Sequence, residues 1–164
     1  MGITGFKNSG KTTLVERLVR EFTSRGFAVA TVKHAHHAFD IDYKGRDSWR
    51  HRAAGAREVA VVSNRMWALI HELENEPEPR LADVLAKLGP CDLVLVEGYK
   101  REPYPKIEVR SLGLKHPELA ARDPTVVAIA ADGALADAPV PVFRRDDIAA
   151  IADFIAVKLE LAAP

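Results

Sequence analysis

A glycine-rich segment near the N-terminus has the residue types and spacing that bind phosphate. Residues 5–12 are GFKNSGKT, which matches the pattern G-x-x-x-x-G-K-[ST]. Its glycines let successive backbone N–H groups converge on phosphate oxygens, and the helix expected next adds its unpaired N–H groups. Lys11 would place its charge on the β- and γ-phosphates, while the Thr12 hydroxyl would bind Mg²⁺. We therefore predict a P-loop that binds a nucleoside triphosphate. The predicted contact residues are Gly5, Asn8, Ser9, Gly10, Lys11, Thr12 and Thr13.

A carboxylate for the metal ion is predicted at the end of a buried strand. Residues 92–98 are DLVLVEG, in which Glu97 directly follows an apolar run. That position lies at the sheet edge where ligands of open α/β sheets bind. Because a P-loop needs a second acidic group near magnesium, we predict that Glu97 acts on Mg²⁺, directly or through water. The next residue, Gly98, is predicted to bring a backbone N–H close to the γ-phosphate.

A second segment combines histidines with carboxylates. Residues 33–48 are KHAHHAFDIDYKGRDS, and they follow the second predicted strand at the same sheet edge as the P-loop. Three interpretations stay open: a zinc or nickel site, a switch that senses magnesium and the γ-phosphate, and a polar surface loop. Spacing alone does not single out the metal site. We expect this segment to contact nucleotide or substrate.

The elements that must position these groups alternate between strands and helices. A helix is predicted after the P-loop, because apolar residues recur on one face from Leu14 to Phe22, and Gly26 suits the positive φ of a helix end. Asp47 is predicted to cap a short helix to about Ala54, and Asp146 or Asp147 to cap the last helix. A further helix is predicted over residues 81–88. Strands are predicted at residues 1–4, 27–32, 59–62, 93–96, 107–110, 126–130 and 140–143.

This alternation predicts the fold class. Strands that alternate with helices form a mainly parallel sheet with helices on both faces. Together with the P-loop, the pattern predicts an α/β P-loop NTPase fold. Neither an internal repeat nor a Ser/Gly linker interrupts it, so we expect one nucleotide-binding domain over residues 1–164.

Composition excludes several functional classes. Lys plus Arg and Asp plus Glu are each 23, so no overall field attracts nucleic acid or an anionic membrane. The one cysteine, Cys91, can form neither an intrachain disulfide nor a multi-cysteine metal site. No apolar run approaches the roughly 20 residues of a membrane span. We expect a cytoplasmic protein without a nucleic-acid or membrane partner.

These segments together resemble one family, the molybdopterin-guanine dinucleotide biosynthesis adaptor protein B (MobB) family. The resemblance is strong from residue 1 to about 110 and weaker from VVAIAADG at 126–133 to the last helix. The paired blocks K-H-x-H-H and V-E-G-Y-K are more specific than a P-loop alone. The matching segments are GFKNSGKTTL at 5–14, VKHAHHAFDIDYKGRDS at 32–48, AAGA at 53–56 and DLVLVEGYKREPYPKIEV at 92–109.

The resemblance implies GTP binding with Mg²⁺, weak hydrolysis, a homodimer and a partner enzyme, the molybdenum cofactor guanylyltransferase. That enzyme joins guanylate to molybdopterin, and whether the pterin is also contacted stays open. By position, Asp42, Asp47 and Glu97 would join Thr12 around the metal. The implied function is that of an adaptor, so we assign no catalytic residue. A GTPase metallochaperone and a small-molecule kinase are the alternatives, and the resemblance favours the adaptor.

Selection of the base is predicted from a single carboxylate. The chain has no N-K-x-D, the usual guanine-reading motif of P-loop GTPases. The best substitute is Asp132, which follows the apolar strand ending at Ala130. A carboxylate there could accept from N1 and N2 of guanine, and it would repel the acceptor N1 of adenine. The alternative is that Asp132 and Gly133 form only a turn.

Overall fold

A six-stranded parallel sheet organises most of the chain in the computed structural model, which describes residues 1–35, 39–114 and 116–163. The strand order is β2-β5-β1-β6-β7-β8, and every neighbouring pair is parallel. This arrangement confirms the predicted α/β fold with a mainly parallel sheet. The elements are β1 (Gly2–Thr4), α1 (Lys11–Ser24), β2 (Val29–Lys33), α2 (Asp47–Ala53), β3 (Glu58–Val62), β4 (Trp67–His71), α3 (Leu81–Leu85), β5 (Leu93–Glu97), β6 (Lys106–Arg110), β7 (Val126–Ala131), β8 (Val142–Arg144) and α4 (Ile148–Lys158).

The chain divides into two compact units. The sheet unit consists of Met1–His34 and Leu88–Pro164, and the hairpin unit consists of Ala35–Lys87. The sheet unit holds the six-stranded sheet with α1 and α4. The hairpin unit holds α2, α3 and an antiparallel pair formed by β3 and β4. Among the described helices, none is long and apolar enough to cross a membrane.

The sheet unit is held by a large apolar core that includes α1 and α4, and by a smaller separate core of Ala120, Val126, Ile129 and Ala131. Leu14, Leu18 and Phe22 are buried on one face of α1, at the spacing predicted for an amphipathic helix. Ile151 and Ile155 of α4 join the same core, which also contains buried residues of β1, β5, β6 and β7. Removing all of this surface from water is the main stabilising contribution to the sheet that carries the loops described below.

Two predicted helix ends are confirmed and one is wrong. Gly26 follows the end of α1 with φ of 92°, as predicted. Asp147 caps α4, and its Oδ1 accepts from the N–H of Ala150 at 3.2 Å. Asp47, however, is the first residue of α2 and not its cap, which is Arg46. Its carboxylate therefore contributes through the helix dipole rather than by a capping hydrogen bond.

Several element bounds differ from the predictions for identifiable reasons. Strand β2 begins at Val29 because the N–H of Phe27 donates to Phe22 O at 3.1 Å and completes the end of α1. Strand β8 begins at Val142, after Pro141, whose nitrogen has no hydrogen to donate to the sheet. Helix α3 ends at Leu85 rather than residue 88, and β4 was not predicted.

The hairpin formed by β3 and β4 leaves one apolar face exposed. Cross-strand partners share a face, so Val62 and Trp67, which pair directly, lie on the same side as Ala60 and Leu69. Trp67 is 69% exposed and Val62 is 74% exposed. On the opposite face, Val59 is buried.

Candidate nucleotide-binding site

The predicted phosphate loop joins β1 to α1 at the centre of the parallel sheet. β1 lies between β5 and β6, so the loop emerges at the edge formed by the carboxyl ends of the strands. Gly5 has φ of 142°, and a Cβ there would lie 2.5 Å from the carbonyl oxygen of Val109. Only glycine therefore allows this turn to pack against β6.

The loop presents backbone N–H groups at the start of α1. Gly10 is the N-cap of α1, and the first bond of that helix runs from Leu14 N to Gly10 O at 3.0 Å. The N–H groups of Lys11, Thr12 and Thr13 precede this bond and have no carbonyl one turn earlier within the helix. Their orientation and the helix dipole make this turn suited to bind an anion.

Lys11 lies inside this loop. Its Nζ donates to Phe6 O at 2.7 Å. Burial lowers the pKa of Lys11 from its ordinary value, Glu97 raises it, and the nearby Lys100 and Lys33 lower it further. Burial is the largest of these effects, and a polyanionic ligand beside the ammonium would favour its charged form.

Thr12 and Glu97 meet although 85 positions separate them in sequence. The Thr12 Oγ1 donates to the carboxylate, with distances of 3.1 Å and 3.2 Å to its two oxygens. Glu97 reaches this point because it ends β5, in register with Ile3 of β1 and Lys33 of β2. The Lys33 Nζ lies 3.6 Å from Glu97 Oε1.

This pair fits a magnesium ion. Adjacent ligands of an octahedral ion with bonds of 2.0–2.1 Å lie about 2.9 Å apart, close to the hydroxyl–carboxylate separation here. Hard oxygen donors are also what Mg²⁺ prefers. Thr12 and Glu97 are therefore the side chains that would hold the ion, directly or through its water molecules.

Gly98 has a structural reason to be glycine. Its φ is 99°, and a Cβ there would lie 2.7 Å from the Cβ of His34. Its N–H donates to Ile3 O at 3.4 Å. The predicted contact of Gly98 with the γ-phosphate would require this long hydrogen bond to open, and it stays a prediction.

Asp132 lies on the opposite side of the P-loop, in a network that the sequence did not reveal. Its Oδ2 accepts from Ser111 Oγ at 2.6 Å and its Oδ1 from the N–H of Leu112 at 2.8 Å. The Ser111 hydroxyl, and then the Leu112 N–H, hold the pKa of Asp132 below its ordinary value, so the carboxylate is ionised at neutral pH. Its contact with guanine stays a prediction.

Arg145 links Asp132 to the phosphate loop. Its Nη1 donates to Ser9 O at 2.8 Å, and its Nη2 lies 3.7 Å from Asp132 Oδ2. These side chains border an open cleft of about 360 Å³ that extends over the first turn of α1. Other lining residues are Asn8, Gly10, Thr13, Leu14, Arg17, Ser111, Arg144 and Asp146.

The loop is also supported from β6 and from the segment after it. Phe6 stacks on His116 with ring centroids 4.3 Å apart, and Lys100 Nζ lies 5.5 Å from the Phe6 centroid. Glu108 is 1% exposed and accepts from the N–H groups of Leu119 and Ala120, which ties that segment to the sheet. No sequence motif pointed to these supports.

The remaining predicted ligands belong to the hairpin unit. Asp42 accepts from Ser48 Oγ at 3.0 Å, and its Oδ2 lies 3.7 Å from Arg52 Nη1. Asp47 is exposed and lies 3.8 Å from Arg50 Nη1. Their assignment to the metal stays a prediction.

The histidine interpretation concerns His34, His36 and His37; His36 and His37 lie outside the described residues, and the His34 ring lies against Tyr99 with ring centroids 4.6 Å apart. Within the described ranges, no group of three or more His, Cys, Asp or Glu side chains is arranged to hold a metal ion. The metal-site interpretation of residues 33–48 therefore stays open.

The parallel sheet, the loop after β1 and the strand order define a P-loop NTPase fold. The family model described as MobB, molybdopterin guanine dinucleotide synthesis protein B, matches residues 1–132. This protein belongs to that family, as the sequence resemblance predicted.

Similar proteins agree with this assignment. A molybdopterin-guanine dinucleotide biosynthesis adapter protein of Haemophilus influenzae is 39% identical over 158 residues, covering 94% of this chain and 86% of that protein. Its Escherichia coli counterpart is 35% identical, covering 94% and 90%. The crystal structure of Bacillus subtilis MobB has a TM-score of 0.76 at 27% identity, covering 99% of this chain and 98% of that one. The protein is accordingly an adapter in molybdopterin guanine dinucleotide biosynthesis.

Proposed function

We propose that this adapter binds GTP together with Mg²⁺ and presents the bound nucleotide to a molybdenum cofactor guanylyltransferase. The observation that carries the proposal is the meeting of Thr12 and Glu97 beside Lys11 in the loop. A hydroxyl and a carboxylate at this separation suit Mg²⁺, and the adjacent lysine and N–H groups suit the phosphates. Nucleoside triphosphates are made in the cytoplasm, and the proposal places the protein there.

Hydrolysis by the protein alone is proposed to be slow. In the described part of the chain, Glu97 lies 3.6 Å from Lys33 Nζ and interacts electrostatically with Lys11, and both of these cations are lysines. An arginine finger at the γ-phosphate is typically worth about 10³–10⁵ in rate. Without one, turnover should stay below roughly one per minute, within the range of intrinsic GTPases. The role is therefore that of a nucleotide-dependent adaptor rather than an efficient enzyme.

The homodimer is proposed to form through the exposed face of the hairpin. Val62, Trp67 and Leu69 on this face are between 46% and 74% exposed. Contiguous exposed apolar patches of this kind mark protein interaction sites, and a two-stranded sheet also offers unpaired strand edges. A second copy of the chain would cover both.

Calorimetry of GTP binding with Mg²⁺ and with EDTA tests the site. Wild-type protein should bind more tightly with Mg²⁺, and Thr12→Ala or Glu97→Gln should each lose about ten- to a hundred-fold of that affinity, as expected for a charge-assisted contact. In EDTA the variants should match wild type. Thr23→Ala and Glu16→Gln on the exposed face of α1 are the matched controls. If wild-type protein bound GTP with the same affinity in Mg²⁺ and in EDTA, the proposal would be contradicted.

A pull-down tests the adaptor role. The tagged protein is added to an extract of molybdate-grown cells with GTP, GDP or no nucleotide. We expect the guanylyltransferase to be recovered with GTP and not without it. Equal recovery under all three conditions would show that partner binding does not depend on the nucleotide. That result would contradict the proposed mechanism.

A further inference from the structure

The two flanks of the P-loop face different parts of the proposed nucleotide. Thr12 and Glu97, which would hold Mg²⁺ at the β- and γ-phosphates, lie on the β5 side of β1. The 360 Å³ cleft lies on the other side, where β6, β7 and β8 end. If the last phosphates lie toward β5, the nucleoside must extend toward β8. The cleft has a volume within the range of about 300–1,000 Å³ that is typical of small-molecule sites.

Arg145 is held at the boundary between the loop and this cleft. One nitrogen donates to Ser9 O at 2.8 Å, and another lies 3.7 Å from the carboxylate of Asp132. A Cβ on Gly10 would lie 3.1 Å from Nη1, so the guanidinium rests against the part of the loop that lacks a side chain. The two edge contacts orient the guanidinium, and because the side chain is still 32% exposed, a ring can reach the side that Gly10 does not cover.

Asp132 is oriented from its other side. Ser111 and Leu112 each donate to one of its oxygens, at 2.6 Å and 2.8 Å. Each carboxylate oxygen has two lone pairs, and because Arg145 Nη2, at 3.7 Å from Oδ2, lies beyond hydrogen-bonding distance, one position on each oxygen can still accept. Two adjacent N–H donors on a ligand would match these two positions.

We propose that Arg145, supplied by the segment after β8, is the base-binding residue of this protein, and that it acts with Asp132 to select a guanine base. The guanidinium stacks on the purine ring, and the carboxylate accepts from N1–H and from the exocyclic amine. This pair replaces the guanine-reading motif that the chain lacks. The inference rests on the proposed function and identifies which residues recognise the nucleoside.

Arg145 could instead serve only to brace the loop through Ser9. If Arg145 only braced the loop, its loss would lower the affinity of every ligand that binds the loop. If it contacts the base, its loss lowers the affinity only of ligands that contain a base. Inorganic tripolyphosphate binds through phosphates alone and therefore distinguishes the two roles.

The experiment compares Mg·GTP with Mg·tripolyphosphate by calorimetry in wild type and Arg145→Ala. The variant should lose about ten-fold in GTP affinity, as expected for a partly desolvated cation–π contact, and should bind tripolyphosphate as wild type does. Arg145→Lys keeps the charge but lacks the planar face, so it should recover little GTP affinity. Arg20→Ala, an exposed arginine on α1, controls for the loss of one positive charge.

Three results would overturn the inference. Equal losses for GTP and tripolyphosphate would make Arg145 a brace for the loop, and no loss for either would leave it without a role in binding. Full recovery by Arg145→Lys would assign the effect to charge alone. A separate result, wild-type protein that does not bind GTP, would refute the proposed function. The inference about Arg145, which rests on that function, would then be refuted too.

Discussion

The sheet unit and the hairpin unit bury their apolar side chains to different degrees. In the sheet unit, a large core joins α1, α4 and four strands. In the hairpin unit, Val59 and Leu81 are buried, whereas most other large apolar residues are exposed. The exposed large apolar residues in the described part of the hairpin unit are Phe39, Ile41, Tyr43, Val61, Val62, Met66, Trp67 and Leu69.

This difference separates two proposed tasks. The groups proposed to bind nucleotide lie on loops of a well-packed sheet, where the strands fix their positions. The groups proposed to bind another chain lie on a small hairpin with little core of its own. We therefore expect substitutions to affect nucleotide affinity or association, and seldom both.

The largest effect should follow Lys11→Ala. Its ammonium donates to Phe6 O within the loop rather than packing in the core, so the fold should persist while most of the proposed triphosphate affinity is lost. Loss of one desolvated, charge-assisted contact costs on the order of 2–5 kcal/mol. Calorimetry with GTP measures the loss, and circular dichroism checks the fold. Lys87→Ala, in the hairpin unit, is the charge control, and unchanged GTP affinity in folded Lys11→Ala would refute the P-loop assignment.

Trp67→Ser should weaken association of the chains rather than nucleotide binding. A buried aromatic at the centre of an interface commonly contributes about 2 kcal/mol or more, so the proposed homodimer should weaken while GTP affinity is retained. Sedimentation velocity across a concentration series measures the association. The matched control is Val157→Ser, because Val157 is 79% exposed on α4 of the sheet unit. A homodimer unaffected by Trp67→Ser would exclude the hairpin face.

The smallest and most selective effect should follow Asp132→Asn. Guanine should lose about ten-fold in affinity, since one acceptor becomes a donor, and xanthosine triphosphate should gain because the amide suits a carbonyl at position 2. Competition between the two nucleotides measures the change. Asp137→Asn is the control in the same loop, as its φ of 57° suits asparagine equally well. Wild-type affinities for both nucleotides would mean that Asp132 only anchors Ser111 and Leu112.

The geometry of the proposed phosphate side could be predicted from the sequence because its residues are encoded locally. Residues 5–12 are contiguous, and the role proposed for each residue type follows from the geometry and chemistry of the loop alone. Glu97 is remote in sequence, but a carboxylate after an apolar strand in a parallel sheet must emerge at the same edge as the P-loop. A pattern and one topological rule were therefore enough.

The contacts of the proposed nucleoside side could not be predicted in the same way. Arg145 follows β8 in no recognisable motif, and its contact with Ser9 spans 136 positions. It exists because β8 pairs with β7 in parallel, bringing Arg144 beside Ala131 and the next residue beside Asp132. The role of Ser111 likewise depends on β6 lying beside β7. Long, flexible side chains find partners only after such pairing is complete.

The sequence by itself determined the fold class, the phosphate loop, the carboxylate at the end of β5 and the family. Periodicity, glycine positions and motif spacing are properties of short stretches of chain. They can therefore be interpreted without knowing which other elements pack against those stretches. The tertiary structure decided the exposed hairpin face, the supports of the loop and the link from Arg145 to Asp132. These depend on which strands pair and in what register, because a shift of one residue turns a side chain to the opposite face of a sheet.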